Sequence, residues 1–579
     1  MTLMEVWAPA AGRVEAEVDG RRLGLSRQDG GWWRGEASWA GPGADYGFRL
    51  DDDDRLLPDP RSPWQPAGVH GPSRLVDHPA FAWTDGAWQP PPLGSALFYE
   101  LHVGTFTAGG TFDSAVERLD HLRELGVTHV ELMPVNQFPG ARGWGYDGVG
   151  LFAPQNTYGG PEGLKRLVEA CHARGLAVVL DVVYNHLGPS GNYLGRFGPY
   201  FSDRHRTPWG PAVNLDGAGS HEVRRFFGDN ARHWFRHYHV DGLRLDAVHA
   251  FVDTSAVHFL EQLADEVDRL EADLGRHLLL VAESDLNDPR VVRERAGGGY
   301  GIDAQWNDDF HHALHVALTG ERDGYYGDYR GLGDLAKALR DAFVYDGRFS
   351  PSRDRVHGRS ALGLESRRFL AYLQNHDQVG NRARGDRSAH LVSTGRLAVA
   401  AAIVLFSPFV PMLFQGEEWG ARTPFPYFTD HEDADLAASI SHGRKEEFAA
   451  FGWRPEDVPD PQDPATFERA RLDWSEKDRE PHRRLLAWHH RLVALRRRHP
   501  ALGATGRLGE TAVRCDEAAR WLVVGRGDAC LVANLGDAQK VPLGGATTGR
   551  LLLASEAAIR PPEDDALELP ADSVAILAR

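Results

Sequence analysis

The chain has 579 residues, with 64 basic and 82 acidic side chains, and a formal net charge of −18 at neutral pH. Hydrophobic residues make up 42% and charged residues 25%, a globular composition that excludes disordered, collagen-like and coiled-coil proteins. The acidic balance argues against a nucleic-acid partner, because a phosphate backbone would be repelled.

The cysteines and the apolar segments predict a cytoplasmic protein. Three cysteines cannot form a disulfide framework without leaving one over, which suits a reducing compartment. The first twenty residues lack a basic segment followed by an apolar core, so no secretory signal is expected. The longest apolar run, 397–406, is too short to cross a bilayer, so no membrane partner is expected either.

Short strands are predicted at the start of the chain. Val14, Ala16 and Val18 alternate with acidic residues, which is the period of a half-buried strand, and turn residues recur after them. Four tryptophans are placed to fill an interior: Trp7, Trp32, Trp33 and Trp39. We therefore predict an N-terminal β-sandwich domain over residues 1–90, with a proline-rich linker at Thr84–Pro92.

From about residue 95, apolar strands alternate with amphipathic helices. Eight strands are predicted at 97–101, 127–134, 176–180, 241–246, 278–282, 302–306, 369–374 and 409–415. Helices are predicted at 112–125, 161–174, 223–238, 255–274 and 480–498. Buried strands in this alternation form a parallel sheet, and eight of them fit a closed barrel. The predicted fold is α/β, a (β/α)8 TIM barrel.

The predicted barrel spans residues 91–499 and carries an irregular insert around 184–220, after the third strand. In such barrels the loops after the strands form the active face. Short strands follow at 512–514, 521–524 and 530–533, which predict a C-terminal all-β domain over residues 500–579.

Charged and polar residues end four of the predicted strands, where burial is costly unless they have a function. They are Asp181 and His186 after the third strand, Arg244 and Asp246 at the fourth, Glu283 after the fifth, and His376 and Asp377 after the seventh. Singly, each could be an ion pair, a helix cap or a core histidine. Their joint occurrence at ends that converge on one mouth favours a functional pocket.

Several carboxylates in one pocket suit the cleavage of a glycosidic bond. One carboxylate must stay ionised to attack the sugar, and a second must be a protonated acid. Arg244 lies two residues from Asp246 on the same strand face and favours its ionised form. Glu283 ends an apolar strand, a setting that favours the protonated acid. Asp377 and the histidines would then hold sugar hydroxyls.

Four segments resemble the four conserved regions of the α-amylase family of glycoside hydrolases: Asp181–His186, Gly242–Asp246, Ala282–Ser284 and Gln374–Asp377. In order and spacing the match covers the whole predicted barrel. The resemblance implies a retaining enzyme with Asp246 as nucleophile and Glu283 as acid/base. It implies Asp377 as a third carboxylate that distorts the bound sugar.

The same resemblance implies residues that bind the sugar on the non-reducing side of the cut. Arg244, His186 and His376 would line that subsite. Gly143–Tyr146 resembles the loop after the family's second strand, in which the tyrosine, here Tyr146, stacks on the sugar. Asp181 would support the site.

Further stretches resemble the family members that release trehalose from a glucan: Asp246–Phe251, Ala282–Pro289, Trp306–His315, Leu318–Tyr326 and Gln374–Arg382. That resemblance implies hydrolysis of the α-1,4 bond next to the terminal trehalose unit of maltooligosyltrehalose, with release of trehalose and a maltooligosaccharide. The activity would belong to trehalose biosynthesis. It also implies maltooligosyltrehalose synthase as a pathway partner, with no indication of physical contact.

We hypothesise that Trp306, Asp308 and Asp309, which follow the sixth strand, bind the leaving trehalose. An aspartate-rich helix N-terminus explains the two acids equally well. His311, His312 and His315 have metal-like spacing on a helix, but the glutamate of a zinc-protease motif is missing. Many α-amylases hold calcium near the residue matching Asn185, yet no other ligands are recognisable. No metal and no cofactor are predicted.

Two alternatives stay open at the level of the sequence. A debranching or branching enzyme would share the three carboxylates, and its products would distinguish it. A non-enzymatic glucan-binding protein would keep the barrel, although such proteins typically lose a catalytic carboxylate.

Overall fold

The computed structural model describes residues 2–449, 453–545, 549–562 and 564–578. Before the barrel, strands form two antiparallel sheets. The first contains Thr2–Trp7, Ser26–Arg27 and Trp32–Ala37, and the second Val14–Val18, Arg21–Gly24, Asp45–Leu50 and Ser73–Arg74. Val14, Ala16 and Val18 are buried as predicted, and so are Trp7, Trp32 and Trp33, whereas Trp39 is only partly covered. The predicted N-terminal β-structure is confirmed.

Eight strands form a closed parallel barrel. They are β1 (Phe98–Leu101), β2 (His129–Leu132), β3 (Ala177–Val182), β4 (Gly242–Leu245), β5 (Leu279–Ala282), β6 (Ala304–Trp306), β7 (Phe369–Tyr372) and β8 (Val410–Phe414). Each strand pairs with its neighbour in sequence, and β8 pairs with β1. Nearly every barrel residue is buried, because helices cover the outer face and side chains fill the interior. The predicted (β/α)8 barrel is confirmed.

The α-helices of the described residues are α1 (Val103–Phe106), α2 (Phe112–Val116), α3 (Leu119–Leu125), α4 (Gly160–His172), α5 (Leu194–Phe197), α6 (Ser220–His237), α7 (Phe259–Leu274), α8 (Asp308–Thr319), α9 (Leu332–Asp341), α10 (His376–Gly380), α11 (Ser388–Leu391), α12 (Thr394–Phe406), α13 (Ala434–Ala449), α14 (Pro464–Arg469) and α15 (His482–Arg498). One predicted helix is interrupted, since 112–125 consists of α2 and α3. Both halves bury their apolar residues, so the helical period was right although it could not show the break.

Short two-stranded sheets lie in the connections between barrel strands. Their strands are Asn136–Gln137 with Gly150–Pro154, Phe201–Thr207 with Gly210–Val213, and Arg348–Ser350 with Arg355–His357. The second pair lies within 184–220, where we expected irregular structure. Gly210, at φ 127°, lets the chain turn between the two strands.

Beyond α15 the described residues fold mainly into β-strands. A five-stranded antiparallel sheet contains Ala512–Asp516, Trp521–Arg526, Ala529–Asn534, Arg550–Ala554 and Ser573–Ala578, and a separate pair contains Gln539–Pro542 and Ala566–Leu569. The three C-terminal strands predicted from the sequence are present. Within the described ranges, no helix is both long enough and apolar enough to span a membrane.

Candidate active site

The carboxyl ends of β3, β4, β5 and β7 surround one cleft with a volume of about 700 Å³. Its lining includes seven of the residues selected from the sequence: Tyr146, His186, Asp246, Glu283, Asp308, His376 and Asp377. Arg244 lies directly beneath them and is fully buried. The structure thus brings together the three carboxylates and the four binding residues that the sequence pattern had placed in one pocket.

Arg244 holds the acidic side chains of the cleft floor. Its Nη1 donates to both carboxylate oxygens of Asp181, at 2.8 and 2.9 Å, and to Oδ1 of Asp246 at 2.8 Å. Its Nη2 lies 2.8 Å from Oε2 of Glu283. Parallel pairing of β3 with β4 sets Asp181 directly opposite Arg244. One guanidinium group therefore contacts three carboxylates and holds Asp246 and Glu283 close together.

A side-chain amide and a backbone N–H also donate to the two carboxylates that line the cleft, Asp246 and Glu283. The Asn185 side-chain amide donates to Oδ2 of Asp246 at 2.5 Å. The Ala247 backbone N–H donates to Oε2 of Glu283 at 2.8 Å. Ala247 has φ 40°, a left-handed conformation that an alanine rarely adopts. Such strain at a site is retained where it positions a functional group, here the N–H that holds Glu283.

A chain of hydrogen bonds runs behind the floor. The Tyr146 hydroxyl donates to Oδ2 of Asp181 at 2.6 Å and lies 2.8 Å from Nε2 of His376. On its other side His376 meets Glu100 of β1, with Nδ1 2.5 Å from Oε1 and the backbone N–H 3.0 Å from Oε2. Sequence reasoning missed Glu100, although an acidic residue inside the apolar strand 97–101 is itself an unusual signal.

Burial and the neighbouring charges shift the pKa of several groups. Burial raises the pKa of Asp181 to about 7, although Arg244 opposes the shift. Burial lowers the pKa of His376, but Asp377 and Glu100 outweigh it and bring the value to about 9. Burial also raises the pKa of Asp377, against the opposing effect of His376. The site therefore holds protonation states that differ from those of the free side chains.

The three residues expected to bind trehalose have different positions. Asp308 lines the cleft, accepts a hydrogen bond from the Tyr372 hydroxyl at 2.5 Å, and has a pKa raised by burial to about 7. Trp306 is 1% exposed and lies beneath the Arg244 guanidinium, 4.2 Å from ring centre to Cζ. Asp309 is buried and accepts from Asn287, Tyr329 and two backbone N–H groups.

Trp306 and Asp309 therefore do not reach the cleft, contrary to our expectation. Trp306 is the last residue of β6, and its ring packs against the buried Arg244 guanidinium. Asp309 lies one position beyond Asp308 on α8, and its carboxylate anchors the chain at 344–345. Sequence spacing alone could not show on which side of the helix start each acid points.

The three metal-like histidines have protein partners. His311 contacts the Leu373 carbonyl and the Tyr326 hydroxyl, His312 contacts the Tyr329 hydroxyl, and His315 contacts Glu321. Among the described residues, no group of three or more metal-ligating side chains is arranged to hold an ion.

Trp209 is a second residue that sequence reasoning missed. It sits at the turn of the hairpin 201–213, lines the cleft and is 49% exposed. Its ring stacks on His186 at 5.0 Å with an interplanar angle of 9°. A large exposed aromatic at the mouth of a cleft is a marker of ligand contact.

Comparison with known proteins agrees with this geometry. A family model described as the catalytic domain of alpha amylase matches residues 78–199, and one described as a domain of unknown function matches 506–576. A malto-oligosyltrehalose trehalohydrolase from Mycobacterium tuberculosis is 49% identical and covers 100% of this chain and 99% of its own. One of the same name from Arthrobacter ramosus is 55% identical over 86% of this chain and 87% of its own.

The chain belongs to the malto-oligosyltrehalose trehalohydrolase family. A crystal structure from Salmonella typhimurium, provisionally described as an alpha amylase, has a TM-score of 0.91 and 37% identity, covering 100% of this chain and 97% of that one. A pullulanase from Paenibacillus barengoltzii is 19% identical with a TM-score of 0.75, covering 100% of this chain and 92% of that one, and shares the fold. Family membership confirms the resemblance found in the sequence.

Proposed function

We propose that this enzyme hydrolyses the α-1,4-glucosidic bond next to the terminal trehalose unit of maltooligosyltrehalose, releasing trehalose and a maltooligosaccharide. The observation that carries the proposal is the Arg244 clamp, which presents Asp246 and Glu283 together at the mouth of a carbohydrate-sized cleft. Retaining glycosidases need two carboxyl groups about 5–5.5 Å apart. A separation spanned by one guanidinium group is compatible with that requirement.

In the first step, Asp246 attacks the anomeric carbon and Glu283 protonates the oxygen that leaves with trehalose. Arg244 and Asn185 stabilise the ionised Asp246 until it attacks. Both contacts made by Glu283 use Oε2, which leaves Oε1 for the proton that is transferred. A glycosyl-enzyme then carries the maltooligosaccharide on Asp246.

In the second step, water attacks the anomeric carbon and Glu283 takes its proton. The bond to Asp246 breaks, which frees the maltooligosaccharide and restores both carboxyl groups. Asp377, beside the cleft and His376, is proposed to hold the sugar in the distorted shape that the transition state requires.

The sugar that bonds to Asp246 is proposed to lie against Tyr146, His186, His376 and Arg244. Trp209 extends this surface through its stack on His186, and an aromatic face suits the apolar face of a glucose ring. On the trehalose side we retain Asp308, whose raised pKa lets it donate as well as accept near neutrality. Synthase partnership, trehalose biosynthesis and the cytoplasmic location stay predictions.

The test compares two substrates of equal length, maltooligosyltrehalose and the plain maltooligosaccharide. We expect rapid trehalose release from the first and little cleavage of the second, with Glu283→Gln inactive on both. Equal cleavage of the two would reduce the proposal to a general α-1,4-glucan hydrolase. Release of linear chains from branched glucan, with no trehalose formed, would replace it by a debranching activity.

A further inference from the structure

We propose that Glu100 of β1 is a positioning residue that keeps His376 doubly protonated and fixed in orientation beneath the sugar site. This inference rests on the proposed function, because it assigns Glu100 a role in the same reaction. Glu100 does not reach the cleft and acts only through His376. Its side chain is 1% exposed, and so is that of His376.

Glu100 contacts His376 at two points. Glu100 Oε1 lies 2.5 Å from His376 Nδ1, and Oε2 accepts the His376 backbone N–H at 3.0 Å. A carboxylate only accepts, so Nδ1 carries a proton. These two hydrogen bonds fix both the His376 ring and the start of α10, which bears Asp377.

The hydrogen bonds of Tyr146 decide whether the other ring nitrogen of His376 carries a proton. Both oxygens of Asp181 accept from Arg244, and above its pKa of about 7 the ionised Asp181 takes the single hydroxyl proton of Tyr146. Nε2 of His376, 2.8 Å from the same hydroxyl oxygen, must then be the donor. Both ring nitrogens are protonated, and His376 is an imidazolium.

Several titratable groups face the His376 ring and decide its charge. The groups that face it are Glu100 on β1, Glu131 on β2, Tyr146, Asp181 on β3, Arg244 on β4, Asp377 on α10 and His102 after β1. Burial raises the pKa of Glu131 well above its usual range and burial lowers that of His102 to about 4, so neither carries charge near neutrality. The charge that favours the imidazolium therefore comes from Asp377 and Glu100, together with ionised Asp181, against Arg244.

A fixed imidazolium matters for the reaction in two ways. Its Nε2 lies 3.5 Å from Oδ1 of Asp377, so its charge helps keep that carboxylate ionised and in place. Its hydrogen bond also holds Tyr146 against the sugar. Without Glu100, a neutral ring could adopt the other tautomer and release Tyr146.

The decisive variant is Glu100→Gln, with Glu131→Gln as its matched control. Glu131 lies directly opposite Glu100 on the neighbouring strand and is a neutral acid, which a glutamine imitates. In Glu100→Gln we expect kcat on maltooligosyltrehalose to fall about tenfold or more, with KM within about twofold. The pKa of the His376 imidazolium, followed by NMR of 15N-histidine-labelled protein, should fall by about 1–3 units. In Glu131→Gln the pKa of His376 should stay in place.

A merely structural role for Glu100 would lower activity and leave the pKa of His376 unchanged, and that result would overturn the proposal. If Glu100→Gln does not fold, the wild-type imidazole is observed directly by NMR with 15N-labelled histidine, and the His376→Gln variant assigns the signal. Two protonated ring nitrogens at neutral pH support the proposal, and one overturns it. The NMR result does not depend on trehalose release, so failure of the proposed function would be recognised separately.

Discussion

Two buried clusters of histidine, basic and acidic side chains lie at opposite ends of the barrel. At the carboxyl ends of the strands, Arg244 and His376 are surrounded by acids at the floor of the cleft. At the amino ends, His172 lies between Asp85 and Asp241, 2.8 and 2.9 Å from their oxygens. Both clusters are made of the same residue types and both are almost completely buried.

The clusters differ in what their acids can still contact. Asp241 accepts from His172, from the Val178 backbone N–H and from the Trp88 indole, so its oxygens are occupied by protein donors. At the mouth, Asp246 and Glu283 line open space. Buried charge alone therefore does not identify an active site, because the same groups fasten the predicted linker Thr84–Pro92 to the barrel. Acidic oxygens that face a cleft and can still bind a ligand do identify an active site.

The largest effect is expected from Glu283→Gln at the mouth. Loss of the acid/base should reduce kcat by about 10²–10⁴-fold, because neither protonation of the leaving oxygen nor activation of water is assisted. The melting temperature should not fall, since Arg244 keeps Asp181 and Asp246 as partners. Steady-state assays with calorimetry test this. Activity within tenfold of the wild type would remove Glu283 from the mechanism.

His172→Gln tests the other cluster and should change stability alone. Glutamine removes one partner from each acid, but Asp85 keeps His239 and Asp241 keeps the Val178 N–H and the Trp88 indole, so we expect a loss of about 1–3 kcal/mol of unfolding free energy. Urea denaturation followed by fluorescence measures that loss. We expect kcat/KM per folded molecule to equal the wild-type value. A variant as stable as the wild type but slower would contradict the separation of the two ends.

The pH dependence of that stability difference should also be diagnostic. Burial lowers the pKa of His172, but Asp241 and Asp85 outweigh it and raise the value. A raised pKa in the folded protein stabilises fully below the unfolded value of about 6.5 and loses this contribution as pH rises through the folded value. The gap in melting temperature between wild type and His172→Gln should thus narrow from about pH 6.5 upward. A gap in melting temperature that widens with pH would mean that folding lowers the pKa of His172.

The smallest effect is expected from Trp306→Phe. Phenylalanine keeps an aromatic face under Arg244, so only part of a cation–π contact of about 2 kcal/mol or less is lost. We expect kcat/KM to fall less than tenfold, and the preference for maltooligosyltrehalose over the plain glucan to stay unchanged. Comparing both substrates measures this. A change in that substrate preference would indicate that Trp306 contacts trehalose directly.

The strand ends show most clearly what could be predicted from the sequence. The positions of Asp246, Glu283, His376 and Asp377 followed from their places after buried strands, because every strand of a parallel barrel ends at the same mouth. Trp306 and Asp309 were selected in the same way but do not line the cleft, because the direction of each side chain depends on the local backbone. Their contact with trehalose stays a prediction.

What the sequence by itself determined is the barrel and the strand ends that carry its three proposed catalytic carboxylates, since hydrophobic periodicity and strand order decide both. Only the tertiary structure decided the partners of those residues. Glu100 and His376 lie far apart in sequence yet share two hydrogen bonds, and Asp85 reaches His172 across the barrel base. Hydrogen bonds are short and directional, so they depend on three-dimensional positions that no spacing along the chain specifies.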